Sequence, residues 1–353
     1  MGFEVPAHRV TIDLPISDAE EVKRRTFVAG TGVLAAAGLL PTRPGPRIGV
    51  TDIDHLRMRL DGLYGTDHST GSVPAMTQAT RIEVEITQAL ESARYTAPIG
   101  RHLQAMLAEL HGDQAWYYYD GCQVAAGRAR CMEAFSGAQL IDDPLLQISA
   151  LETLVLLAVK DGRAWEAQCA VEHAYRLAQR AGAVPAVHVV VALRDANTAT
   201  HTGDLAKARR ALNRAMAHHA RVDNDPDVPR WARFIGPFEI DLATADMYLR
   251  AGRPMRAVPF LRAAVRGIGG DLPRNSAKYR VKLARVLLDA GELEEACKEM
   301  DTALDACAQI ASPRLVTKMR EFDKAAARFD SLMAAECRER VRHAIQRGPR
   351  GAG

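Results

Sequence analysis

Four times along this chain a Gly is followed by Ala five residues later and by Ala again twelve residues later. The sets are Gly162/Ala167/Ala174, Gly203/Ala208/Ala215, Gly252/Ala257/Ala264 and Gly291/Ala296/Ala303. A Gly so placed supplies the positive φ that closes one helix. Each Ala marks a point where the next helix lies too close to its neighbour for a larger side chain. Repetition of the pattern predicts stacked helical hairpins, an all-α architecture that grows by adding units. Composition agrees, with aromatics at only 5% and strand-like alternation nearly absent. A net charge of +3 gives no whole-molecule argument for nucleic acid, and no direct nucleic-acid binding is expected. The six cysteines form no C-x-x-C pair and no Cys/His ligand spacing, so reduced buried thiols and a cytoplasmic compartment are expected. No apolar run reaches the roughly 20 residues that a membrane span needs.

Ahead of the hairpins, residues 8–16 alternate Val10, Ile12, Leu14 and Ile16, a short strand that Pro15 confines to an edge. Lys23-Arg24-Arg25-Thr26-Phe27, the apolar run 28–40 and the Pro-rich 41–46 follow. The paired arginines resemble a twin-arginine export signal, and an exported extracytoplasmic scaffold is the alternative localisation. Acidic residues outnumber basic ones over residues 1–25, and the triplet Ala35-Ala36-Ala37 lies inside the apolar run rather than after it. Both details favour the cytoplasmic reading. The expected organisation is a leader over 1–22, a junction and linker over 23–47, a helical-repeat domain over 48–345 and a polar tail over 346–353. Within the domain we expect a helix over 48–62 and a loop over 65–74, where Gly, Asp, Ser, Thr and Pro cluster. The clearest helix is 293–310, whose Leu293, Ala296, Cys297, Met300, Ala303, Leu304, Cys307 and Ile310 form one stripe. An earlier turn is ambiguous: Gly121 leads to Ala126 but then Glu133, whereas Cys122 leads to Gly127 and Ala134.

The offsets of five and twelve resemble those of tetratricopeptide repeats. The glycines are 41, 49 and 39 residues apart, against about 34 in the regular repeat, so the units are degenerate. The resemblance implies an α–α superhelix of about five or six hairpins, capped by a terminal helical stretch. Several stretches also resemble the repeat portion of actinobacterial XRE-type helix-turn-helix regulators. These are Arg24-Arg25-Thr26-Phe27, Asp54-His55-Leu56-Arg57, Trp116-Tyr117-Tyr118-Tyr119-Asp120, Pro229-Arg230-Trp231 and Gly291-Glu292-Leu293-Glu294-Glu295-Ala296-Cys297. That resemblance implies transcriptional regulation, with paired arginines at the junction and no export. About 22 residues precede the junction, too few for a DNA-binding domain of three helices. The chain therefore reads as a sensor half, acting through another protein or preceded by a start further upstream.

In tetratricopeptide arrays the first helix of each hairpin lines the groove, at positions about 13, 9 and 6 residues ahead of the turn Gly. The resemblance thus implies a groove of Ser149, Thr153 and Leu156; Val190, Arg194 and Asn197; Glu239, Ala243 and Asp246; and Lys278, Lys282 and Arg285. The last three make a basic stripe able to hold a carboxylate or acidic peptide, or else a solvated face. Arrays that clamp a peptide C-terminus place Asn and Lys/Arg at such positions; Asn197, Lys278 and Lys282 fit, while Leu193 and Ala243 do not. Trp116 and Tyr117–Tyr119 read either as core packing, the default, or as an aromatic ligand wall. Four successive residues cover a whole helix circumference, so some of them must be core and the rest exposed. Trp231 and Phe234 lie in the insertion that contains 225–231, as a lid over the groove or as an anchor for the loop. His188, His201, His218 and His219 lack a completing carboxylate or Cys at fixed spacing, so no metal is expected. No G-x-S-x-G, H-E-x-x-H, P-loop or dinucleotide-binding pattern occurs. A non-catalytic protein that needs no cofactor and binds a protein, peptide or small molecule is expected. A groove enzyme using an acid/base pair such as Glu239 and Asp246 is the alternative.

Overall fold

The structure, a computed structural model, describes residues 45–222, 227–269, 272–307 and 310–347. The edge strand, the twin-arginine junction, most of the linker, residues 225–226 of the insertion and the tail from 348 lie outside the described residues. The compact unit Pro46–Gly353 contains fourteen α-helices among the described residues, paired into seven hairpins. They are α1 (Val50–Thr70) with α2 (Ser72–Ser92), α3 (Ala97–Asp120) with α4 (Val124–Leu140), and α5 (Pro144–Lys160) with α6 (Ala164–Arg180). Then come α7 (Pro185–Thr202) with α8 (Leu205–His219), and α9 (Pro237–Arg250) with α10 (Pro254–Gly267). The last are α11 (Pro273–Asp289) with α12 (Leu293–Cys307), and α13 (Pro313–Ala326) with α14 (Leu332–Arg347). Each helix packs on its partner, and successive odd-numbered helices pack on one another along most of the array.

The Gly/Ala sets do what their spacing predicts. Gly162, Gly203, Gly252 and Gly291 all have φ between +68° and +86°. The eight alanines that follow them are all buried. Cys122 settles the ambiguous turn: it takes the left-handed position with φ +60°. Gly127, five residues on, then lies where a Cβ would meet Leu157 at 3.0 Å. Among the described residues six hairpins precede a seventh, α13 with α14, which is the terminal helical stretch expected to cap the array. The first and last turn without a Gly/Ala/Ala set, so nothing periodic announced them. The 293–310 stripe ends as helix at Cys307, although Ile310 still reaches the core.

Residues 65–74 are not a loop. α1 runs through to Thr70 and α2 starts at Ser72. The hydroxyls of Thr66, Ser69 and Thr70 bond the carbonyls four residues back, at 3.1, 2.7 and 2.9 Å, which keeps a polar run helical. Pro74 falls in the first turn of α2, where its missing N–H costs nothing. Gly71 makes the whole break, at φ +97°.

The superhelix closes on itself. α1, in the first hairpin, packs on α11, in the sixth. The Ala311 N–H donates to the Thr70 carbonyl at 2.7 Å. A Cβ on Gly71 would lie 2.5 Å from the Ala311 oxygen. Gly71→Ala is therefore expected to cost about 1–3 kcal/mol from backbone strain, plus the displacement of Ala311. Gly291→Ala meets nothing within 4 Å and carries only the backbone cost. Urea unfolding of the two variants checks this; equal losses would mean that the Ala311 contact is not held in solution.

Candidate functional site

The odd-numbered helices face inward and surround a cavity of about 1000 Å³. Each of them contributes lining residues, and the insertion contributes Arg230, Trp231 and Phe234. All the groove positions implied by the repeat spacing line it except Val190, which is 0% exposed in the core beneath. Arg194, Asn197, Glu239, Asp246, Lys278, Lys282, Arg285 and Trp231 thus share one cavity.

Within it, most charges are already partnered. Arg194 donates to Glu152 at 2.7 Å, joining α7 to α5. Glu239 accepts the Tyr279 hydroxyl, Asp246 pairs with Lys282, and Arg285 pairs with Asp289. The basic stripe is therefore mostly neutralised, and both carboxylates of the suggested acid/base pair are engaged. Lys278 stands apart. Among the described residues no carboxylate reaches ion-pair distance of its ammonium, which lies 4.8 Å from the Tyr279 ring centroid. Burial, with Arg314, Arg274 and Lys282 around it, pushes its pKa down to about 7 against the pull of Glu239.

Of the residues that seal the cavity, only Trp116 and Tyr119 were weighed from the sequence, as an aromatic ligand wall. Both line the cavity, while Asp67, Asp120, Arg274 and Arg314 were not singled out. Arg274 on α11 meets Asp67 on α1 at 2.7 Å, and each residue is 3% exposed. Asp67 also accepts the Trp116 indole N–H at 3.0 Å. Arg314 on α13 donates to Asp120 at 3.1 Å, and Asp120 accepts from Ser72 at 2.8 Å. The Trp116 ring lies 5.3 Å from the Arg274 guanidinium and 5.4 Å from that of Arg314, close enough for cation–π attraction. Arg314 also covers Tyr119 at 4.8 Å. Tyr117 is buried, and Trp116, Tyr118 and Tyr119 are half-buried. None of the four is exposed, because the C-terminal part of α3 lies against the cavity and its neighbouring helices.

The insertion is an anchored wall. Its short 3₁₀ turn Arg230–Ala232 packs on α1 and α7. Arg230 donates to Glu109 at 2.9 Å and to Asp113 at 2.6 Å, both on α3. Arg57 of α1 holds the other oxygen of Glu109 at 2.6 Å. Burial raises Asp113 to about 6 despite Arg230. At Glu109 burial also pushes upward, but Arg230 and Arg57 overcome it and leave the carboxyl below its ordinary value. His68, on the lining beside Arg274, is pushed down to about 4, mainly by burial. The one sequence signal for these residues was indirect: Trp116–Asp120 and Pro229–Trp231 were pieces of the regulator resemblance.

The four histidines do not converge. His188 and His218 stack at 4.8 Å, while His201 bonds the Asn197 carbonyl on its own helix. Among the described residues no group of three or more His, Cys, Asp or Glu is placed to hold a metal ion. No described helix is long and apolar enough to cross a membrane.

No protein-family model matches the chain, and no curated protein matches it in sequence. Among solved structures, a Rap protein complexed with Competence and Sporulation Factor superposes with a TM-score of 0.51 at 10% identity. The match covers 83% of this chain and 89% of that one. The fold is tetratricopeptide-like. At that identity the likeness shows the helical-repeat architecture and leaves the ligand to the chemistry of the cavity.

Proposed function

We propose that the chain is a non-catalytic, cytoplasmic regulatory protein. Its closed tetratricopeptide-like cavity holds a short peptide or a small molecule, and a partner protein in transcriptional control reads the closure around that ligand. The observation that carries this reading is that all seven inner helices and the insertion line one cavity of about 1000 Å³. Three residues of that lining also hold a buried polar atom without a partner: Asn197 Oδ1 from α7, Trp231 Nε1 from the insertion and Arg274 Nε from α11. A buried acceptor or donor left unpaired costs on the order of 1–3 kcal/mol. These atoms lie just behind the cavity surface, so a ligand reaches them by shifting the lining; an amide then supplies an N–H for Asn197 and a carbonyl for Trp231.

Closure limits the occupant. A cavity of about 1000 Å³ suits a drug-sized molecule or a short peptide. The contacts between α1 and α11 join the ends of the array around the cavity, so the occupant sits within a ring and not along an open spiral. The Rap protein of similar fold is complexed with a factor, and the regulator resemblance supplies the transcriptional context; both enter as analogy. Apart from the contacts that close the ring, each hairpin packs chiefly on its neighbours, so a ligand bridging several of them shifts the curvature of the whole array.

Native mass spectrometry of the full chain, purified without denaturation from cells that express it, tests the reading. A stoichiometric compound is expected, with occupancy reduced about tenfold by Asn197→Ala and by Trp231→Phe. A compound retained equally by both variants, or a partner protein bound while the cavity holds nothing, would overturn it.

A further inference from the structure

Four cationic residues follow one face of α11 at helical spacing: Arg274, Lys278, Lys282 and Arg285. All four line the cavity. Three have carboxylate partners, Asp67, Asp246 and Asp289 respectively. Lys278 alone has none within ion-pair distance among the described residues, and Glu239, the acid that faces it, is occupied by the Tyr279 hydroxyl. Across from it, α13 adds Arg314, held by Asp120 and laid against Trp116 and Tyr119.

We propose that this corner is an oxyanion subsite, in which Lys278, flanked by Arg274 and Arg314, takes a carboxylate or phosphate group of the ligand. The inference rests on the cavity being a ligand site and names the chemistry of one end of that ligand. It departs from the stripe of Lys278, Lys282 and Arg285 that repeat spacing implies. Lys282 and Arg285 are paired with Asp246 and Asp289, and closure places Arg274 and Arg314, each held by its own carboxylate (Asp67 and Asp120), as the walls of the corner beside Lys278.

Lys278 is half-buried, and the acid that faces it, Glu239, also accepts the Tyr279 hydroxyl. Its charge is therefore incompletely compensated, and a lysine in such a place can escape the cost by shedding its proton. An incoming oxyanion reverses this: Lys278 takes a proton back and donates to the anion through a charge-assisted bond. No covalent bond changes; one proton moves from solvent to Nζ. Two consequences separate a ligand-binding lysine from a structural one. Removing the Lys278 charge leaves the empty protein as stable as before, or more stable. Binding above neutral pH takes up a proton.

The test uses the full chain and inorganic phosphate, with acetate as the carboxylate arm, in calorimetric titrations repeated in buffers of different ionisation enthalpy. Expected are proton uptake on binding at pH 8, a loss of affinity of about tenfold in Lys278→Gln, and unchanged or higher thermal stability of that variant. Lys278→Arg, which cannot shed its charge, is expected to bind the anion without proton uptake. Phosphate binding more tightly than acetate assigns the group as a phosphate ester, and the reverse order assigns a carboxylate. Affinity unchanged in Lys278→Gln, or a stability loss as large as that of Arg274→Met, would overturn the subsite. A cellular ligand found in the cavity without any anionic group would also overturn it while leaving the binding function standing. If no cellular ligand is found but the phosphate response is lost in Lys278→Gln, the subsite stands and the regulatory reading falls.

Discussion

Arg274→Met is expected to destabilise the array by roughly 3–5 kcal/mol, because it leaves Asp67 buried without its cation. The loss is concentrated where the superhelix closes. Asp67 and Arg274 are 207 residues apart in sequence, so no neighbouring hairpin can substitute for the pair. Hydrogen exchange is expected to quicken at the C-terminal end of α1, in α11 and in α13, and to stay unchanged in α5–α8, as nearest-neighbour coupling requires. Asp67→Asn combined with Arg274→Met is expected to recover most of the stability. The Asn side chain is neutral, and its carbonyl still accepts the Trp116 indole N–H. A full double-mutant cycle by urea unfolding measures the coupling. Arg274→Met within about 1 kcal/mol of the parent would mean that the ring is open in solution, and the closed cavity would go with it.

Arg230→Met is expected to cost a similar roughly 3–5 kcal/mol, by leaving two buried carboxyls of α3, Glu109 and Asp113, short of a cation. Its pH dependence has a definite sign. In the parent, Asp113 has a folded pKa raised to about 6. The folded state therefore holds a proton there that the unfolded chain has released, and this contribution to stability fades as pH rises from the ordinary Asp range through about 6. Glu109 works oppositely: its folded pKa is lowered, so its contribution is present above the ordinary Glu range and is lost as pH falls through the lowered folded value. Without Arg230 both carboxyls shift upward and can protonate in mild acid. The defect of Arg230→Met is thus expected to be largest above pH 7 and to narrow towards pH 5. Unfolding curves at the two pH values check this. A defect that widened on acidification would mean that Arg230 is not held by these carboxyls. The same substitution frees Trp231 from the wall, so ligand occupancy is expected to fall with it.

The local rules of the array were legible in the chain. A Gly before each tight turn and an Ala at each helix crossing are requirements of backbone conformation and contact distance, and those act within one hairpin. Because every hairpin obeys them in the same phase, counting back from the turn also placed Arg194, Asn197, Glu239, Asp246, Lys278, Lys282 and Arg285 on the inner helices. Val190 failed that count because a neighbouring helix covers it, a matter of packing across units. The 65–74 segment failed because its hydroxyls bond back to their own helix, so composition typical of turns stayed helical.

Closure was decided at another scale. Whether a stack of hairpins stays an open spiral or meets itself depends on small rotations summed over seven units, and no short stretch encodes that sum. Only once α1 touches α11 do Asp67 and Arg274 meet, and with them Asp120 and Arg314. Arg230 likewise finds Glu109 and Asp113 only across the folded array, more than a hundred residues away in sequence, and Lys278 is left without an ion-pair partner among the described residues. The chain's local periodicity set the hairpins and the inward-facing residues. The tertiary contacts between distant ends turned that inner face into a cavity and chose which of its charges remain free for a ligand.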